Sequence, residues 1–172
     1  MKRLVFWIPV LLSLFMLAGC GDDDFSPQVP ESVKEKLLEK YPDATGIVWS
    51  ISNGWYVADF ENGSIPTREW FSYDGIWAMS DEKIPYQALP EAVQLAYEES
   101  EFATPAWTMA DIERITRREM ETLYLIEVER EMEQWELLYS EEGILVRAEQ
   151  DLEERDDHED LLPTPPTPPA TE

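Results

Sequence analysis

Five residues near position 30 return almost unchanged sixty positions later: Val29-Pro30-Glu31-Ser32-Val33 and Leu89-Pro90-Glu91-Ala92-Val93. Two further blocks follow in the same order. Trp55-Tyr56-Val57-Ala58-Asp59-Phe60 answers to Leu123-Tyr124-Leu125-Ile126-Glu127-Val128, and Tyr73-Asp74-Gly75-Ile76 to Glu141-Glu142-Gly143-Ile144. A chain built twice from one plan must fold as two like units, and this restricts the architecture more than any other feature does. The later blocks lie 68 positions apart, so the second copy carries about eight extra residues before its second strand.

Each copy predicts a helix followed by four strands. Pro30 and Pro90 suit a first helical turn, and Glu31 and Glu91 favour the positive end of the helix dipole. Val33, Leu37, Leu38 and Tyr41 share one helical face, as do Val93, Ala96, Tyr97 and Ser100. Pro42 ends the first helix and Pro105 follows the second. The runs 47–52, 55–61, 68–73 and 76–80, then 106–116, 121–129, 133–140 and 144–149, have strand character. Asn53-Gly54, Asn62-Gly63 and Asp74-Gly75 mark hairpins between them. Alternation sets Tyr124, Ile126 and Val128 on one face with Trp135, Leu137 and Tyr139, and Glu127, Glu129, Gln134 and Glu136 on the other. The expectation is an α+β fold of two tandem repeats, 29–88 and 89–150, each one helix followed by a four-stranded antiparallel sheet, with continuity between the two sheets left open.

Before the repeats stands an export leader. Met1-Lys2-Arg3 is a positive n-region, and 4–17 is an uncharged apolar run too short to span a membrane as a helix. Leu17-Ala18-Gly19-Cys20 resembles the lipobox of bacterial lipoproteins, which implies a signal peptide of residues 1–19 and a lipidated Cys20 as mature N-terminus. Several acyl chains there would give stable anchoring. Residues 20–28 read as a tether, and Asp22-Asp23-Asp24 behind the cysteine resembles the surface-export signal of Bacteroidota lipoproteins. A solvated spacer is the alternative. Gly21 is not the aspartate that retains some proteobacterial lipoproteins at the inner membrane. The expected location is the cell envelope, as an outer-membrane lipoprotein facing the periplasm or the surface. Residues 151–172, charge-dense and then rich in proline and threonine, read as a disordered tail.

Two of the 13 basic residues leave with the leader, so 11 face 37 acidic ones, a formal −26. That surface repels phosphate backbones and makes nucleic acid a poor partner. Seven Trp, seven Tyr and six Phe nevertheless argue for a packed core. Cys20 is the only cysteine, so no disulfide can form within the chain and burial alone must hold the fold.

The tandem plan, the Pro-Glu-x-Val helix openings and the acidic-Gly-Ile turns resemble the PepSY-like, beta-lactamase-inhibitor-like secreted proteins of Bacteroidota over residues 29–149. The resemblance implies a concave sheet face whose aromatic and polar residues clamp a protein, as in the founding inhibitor. The disulfides of that inhibitor have no counterpart here.

Catalytic signatures are missing. The one histidine, His158, falls in the expected tail, which argues against Ser-His-Asp, Cys-His and histidine-based zinc chemistry. No phosphate-binding or dinucleotide glycine motif occurs. Paired carboxylates could hydrolyse glycosides, but in so acidic a chain such pairs arise by chance. Asp22–Asp24 and Asp156–Asp160 lack the spacing and glycine of a calcium loop. No cofactor and no metal are expected.

The aromatics remain. Trp55 and Trp70 alternate away from the residues facing the first helix, so they would stand on the open sheet face, joined by Trp49 or Trp77. They anchor a partner there, or another sheet contact buries them. Arg114, Arg117 and Arg118 form the only basic cluster, balanced by Glu113 and Glu119. The expected function is non-catalytic: binding, or inhibiting, another envelope protein or peptide through that face, with the membrane reached through Cys20. A structural or sensory module without a soluble target is the alternative, and a carboxylate hydrolase ranks third.

Overall fold

In the computed structural model of the chain, the structure describes residues 28–150 and 158–164. Helix α1 spans Glu31–Lys40, and strands β1 to β4 follow as Ala44–Ser52, Trp55–Asn62, Ile65–Phe71 and Trp77–Lys83. A 3₁₀ turn at Tyr86–Ala88 leads into α2, Glu91–Glu98. Then come β5 to β8: Thr108–Arg117, Leu123–Arg130, Glu133–Ser140 and Leu145–Gln150. A second 3₁₀ turn lies at Glu159–Leu161. Residues 1–27, with the expected leader, Cys20 and most of the expected tether, lie outside the described residues.

All eight strands form one antiparallel sheet in the order β1 to β8. This corrects the expected fold class: the chain does not close two separate four-stranded sheets, one per helix. Strand β4 pairs with β5 from Met79↔Arg117 to Lys83↔Glu113 and makes the two meanders continuous. The reason lies in the edges. A lone four-stranded meander would leave β4 and β5 each with a row of unpaired backbone groups, and pairing satisfies both rows. That contact joins positions across the 84–107 connection, where no local pattern can announce it.

Both helices cover the same side of the sheet. From α1 and its flanks, Val29, Val33, Leu37 and Tyr41 are buried with Tyr56, Ala58, Phe60 and Phe71. From α2 and its flanks, Leu89, Val93, Tyr97 and Phe102 are buried with Ile112, Tyr124, Ile126, Val128, Leu137 and Tyr139. These strand residues fall at every second position, as a half-covered sheet requires. Leu38, expected on the buried face of α1, is 45% exposed instead. Pro30 and Pro90 stand just ahead of their helices as N-caps, each offering its carbonyl to the first free backbone N–H groups.

The two turns that follow β3 and β7 repeat one geometry. Ser72 N–H donates to Ile76 O (2.8 Å) and Gly75 N–H to Ser72 O (2.8 Å), while Ser140 N–H donates to Ile144 O (2.9 Å) and Gly143 N–H to Ser140 O (3.0 Å). Each turn presses its glycine onto the neighbouring helix. At Gly143 (φ +78) a β-carbon would stand 2.3 Å from the Ala92 carbonyl oxygen at the start of α2. Only glycine supplies both that backbone angle and that approach.

One ionic network is buried beneath α1. The fully buried Glu69 takes hydrogen bonds on Oε1 from Tyr41 Oη (2.6 Å), Lys40 Nζ (2.8 Å) and Ser80 Oγ (2.6 Å). Burial pushes the Glu69 carboxyl above the usual range despite Lys40 beside it, and burial and the neighbouring carboxylate raise the Tyr41 phenol.

Candidate functional site

The side of the sheet away from the helices has two halves. Alternation along β2 to β7 aims Trp55, Val57, Trp70, Met79, Ile115, Leu123, Leu125 and Leu138 at this side, where they form one buried apolar cluster. Further along the same strands, two positions on, the side chains become charged. Asp59, Arg68, Asp81, Lys83, Asp111, Glu113 and Glu127 line a cavity of about 360 Å³.

Residues 158–164 lie across both halves. Leu161 and Leu162 pack on the apolar cluster, and His158 is buried among the carboxylates. Within the stretch 151–172 read as a disordered tail from sequence, residues 158–164 therefore contribute ordered contacts here, while 151–157 and 165–172 lie outside the described residues. Arg147 on β8 holds it from the side through an ion pair with Asp160, and also faces Glu136 (3.7 Å). An imidazole among carboxylates and two leucines over an apolar patch are local attractions that charge and proline counts along the tail do not reveal.

His158 Nε2 lies 2.7 Å from Glu113 Oε2 and 3.6 Å from Asp81 Oδ2. Asp81 and Glu113 are diagonal neighbours on β4 and β5, since the register pairs Asp81 with Ile115 and Lys83 with Glu113. Burial first, and then the charge of Glu113, push the Asp81 carboxyl up to about 8, with the His158 charge opposing. For His158, burial pulls downward, but the Glu113 hydrogen bond and the charges of Glu113, Asp81 and Glu136 outweigh it and raise the imidazole to about 9. Glu127 rises to about 7, through burial and then its acidic neighbours Glu113, Asp111 and Glu136. Asp81, Glu127 and His158 thus hold their protons to higher pH than their residue types ordinarily do.

The structure separates the four tryptophans that the sequence suggested as one binding face. Trp55 and Trp70 lie on the helix-free side, as alternation predicts, but are 4% and 0% exposed. Trp49 and Trp77 are half-buried on the opposite, helix-covered side. Trp77 lies under Lys40 Nζ at 4.5 Å and donates from Nε1 to Ser80 Oγ (3.1 Å), while Trp49 tilts against Phe71. The reading of an open tryptophan face is corrected accordingly. Once both meanders share one sheet, this side is deep enough to bury its central residues, and Leu161 and Leu162 add to the cover.

The basic cluster also disperses. Arg114 pairs with Glu82, Arg117 donates to the Glu121 carbonyl (3.3 Å), and Arg118 faces Glu119 (3.4 Å). The residues that sequence reasoning passed over are Asp81, Glu113 and His158. Their signal was present in part: Glu127 and Glu136 were already assigned to the helix-free face, and the only histidine precedes a leucine pair in an otherwise polar tail.

Solved structures share this fold. A BLIP-like protein from Bacteroides fragilis superposes with a TM-score of 0.68 at 28% identity, covering 80% of this chain and 97% of that one. A Bacteroides eggerthii protein described as one of the "putative periplasmic proteins" gives 0.68 at 28%, covering 72% and 90%. A DUF2874 family protein from Bacteroides uniformis gives 0.65 at 25%, covering 70% and 88%. No curated protein was found to match. A family model described as "Putative beta-lactamase-inhibitor-like, PepSY-like" matches residues 54–147, from the first hairpin of the sheet to its last strand. With more than half of its length inside that match, the chain belongs to the PepSY-like, beta-lactamase-inhibitor-like family.

Proposed function

We propose that this chain is a non-catalytic, lipid-anchored protein of the cell envelope that binds another polypeptide through the helix-free face of its sheet. The observation that carries the reading is the cover of that face. A large apolar cluster is packed there by two leucines of a terminal segment, where the opposite side has whole helices. The same segment inserts a cation-forming side chain among Asp81, Glu113 and Glu127. A partner suited to replace it carries a basic side chain about three positions before apolar ones, in a loop or an extended segment. The likeness to a BLIP-like fold supports a protein as the occupant, and the lipobox-like Leu17-Ala18-Gly19-Cys20 supports the anchor.

The test immobilises the full chain and a chain ending at Gln150 over solubilised envelope proteins. If the terminal segment competes with the partner, the shorter chain binds it about tenfold or more tightly, because its competent state is no longer a minority. A peptide of residues 157–164 added in excess should displace that partner. Retention by neither chain would instead favour a module without a soluble target, and equal retention with no displacement would put the partner on another part of the surface. For the anchor, Cys20→Ser should abolish labelling by a fatty-acid analogue.

A further inference from the structure

We propose that Asp81, Glu113 and His158 form a binding site for one divalent transition-metal ion of the Zn²⁺ type, which pins the C-terminal segment to the sheet. The three side chains are 6%, 8% and 6% exposed, and one potential ligand atom from each lies within 4.8 Å of the other two. Ligand atoms at zinc distances of about 2.0–2.1 Å in a tetrahedral shell stand about 3.3 Å apart. The observed 2.7 Å and 3.6 Å from His158 Nε2 straddle that value, and the Asp81–Glu113 pair lies within 4.8 Å, so an ion enters once the two carboxylates close on it.

The second, independent observation is Asp81 Oδ1, which is buried without a hydrogen-bond partner. A carboxylate oxygen left in this condition costs stability that an ion would restore. A divalent ion would bind both carboxylates and displace the protons that Asp81 and His158 otherwise hold, leaving His158 as a neutral ligand. The flanking cavity supplies entry and room for a water at a fourth position. Glu127 on its wall favours a cation there, while the wall's own cations are paired, Arg68 with Asp59 and Lys83 with Asp111.

The donor set defines the class. One imidazole with two carboxylates suits Zn²⁺ or its neighbours in the first transition row, whereas Ca²⁺ and Mg²⁺ prefer shells of oxygen alone. Two ligands come from adjacent strands and the third from the terminal segment, so occupation would hold that segment down. The site stands on these three residues whether or not the face binds a partner.

The experiment titrates Zn²⁺ into the chelator-treated full chain by calorimetry, with melting temperature followed in parallel. One equivalent should bind saturably and raise the melting temperature. Co²⁺ in its place should give the visible absorption of a tetrahedral nitrogen-oxygen site. His158→Ala should weaken Zn²⁺ by more than about 100-fold, since even outer partners of a metal ligand are worth 10–100-fold. Asp111→Asn, which alters the cavity wall but no ligand, should stay within a few-fold. If His158→Ala melts early, Glu113→Gln serves as the second ligand variant. Binding unchanged in both ligand variants, or equal stabilisation by Ca²⁺ and Zn²⁺, would overturn the proposal in favour of diffuse attraction to an acidic surface.

Discussion

In the metal-free chain the imidazole of His158 should titrate near pH 9, and Glu113→Gln should lower it markedly, leaving only the charges of Asp81 and Glu136 to oppose burial. The rise from 6.5 to about 9 corresponds, at 1.36 kcal/mol per pH unit, to roughly 3 kcal/mol favouring the charged ring in the folded state. Burial works against that charge, so the carboxylates around it supply more than the net. A group raised on folding contributes stability that is complete below its unfolded value and lost as pH climbs through the folded one. The His158 contribution is therefore intact below about 6.5 and gone above about 9. Asp81, raised to about 8, runs in the same direction, so alkali should loosen the terminal segment. Because the chain holds one histidine, a single pair of imidazole proton signals reports the titration by NMR without assignment. A midpoint at or below 6.5 in the unaltered chain, or one unmoved by Glu113→Gln, would refute the placement of His158 against Glu113.

Trp70→Ala should destabilise the domain by about 3–5 kcal/mol in denaturant melts, as removal of a fully buried aromatic does. A loss below about 1 kcal/mol would return Trp70 to the surface. Gly143→Ala should cost more than about 2 kcal/mol, since strain at φ +78 adds to collision with the Ala92 carbonyl. Gly63→Ala, with similar φ but open space, should cost only about 1–2 kcal/mol in the same assay. Tyr41→Phe should cost about 1–3 kcal/mol, because Glu69 Oε1 loses a buried donor at 2.6 Å, and thermal melting of the pair of proteins measures it.

The parts of the fold legible in sequence are those set by local periodicity. Tyr124, Ile126 and Val128 declare the helix side of β6 by alternation, and Pro30 and Pro90 declare the helix starts, because each signal is written within a few residues. The β4–β5 pairing was illegible, since it joins strands across a connection and depends on two edges meeting. Trp55 and Trp70 show a second limit. Alternation assigns a face, but whether that face is wet depends on what else reaches it. His158 shows a third: composition marks its segment as solvated, while one imidazole and two leucines meet complementary surfaces that only the assembled sheet creates.

The energetics of that segment place it near balance. Leu161 and Leu162 remain partly exposed, so together they contribute at most about 3–6 kcal/mol from apolar burial. The His158 charge adds roughly 3 kcal/mol, and the exposed Arg147–Asp160 pair adds 1 kcal/mol at most. Against these stands the ordering of residues 158–164, at about 1–2 kcal/mol each. The gain and the cost are of one size, so the segment should open locally at far lower free energy than the strands beneath it. An element held so evenly is sensitive to small additions. An ion between Asp81, Glu113 and His158 would add to the closed side, and a partner with a cation and apolar side chains in the same spacing would add to the open one. Such an exchange would involve the cluster on the helix-free side, while the helix-covered clusters lie on the other side of the sheet.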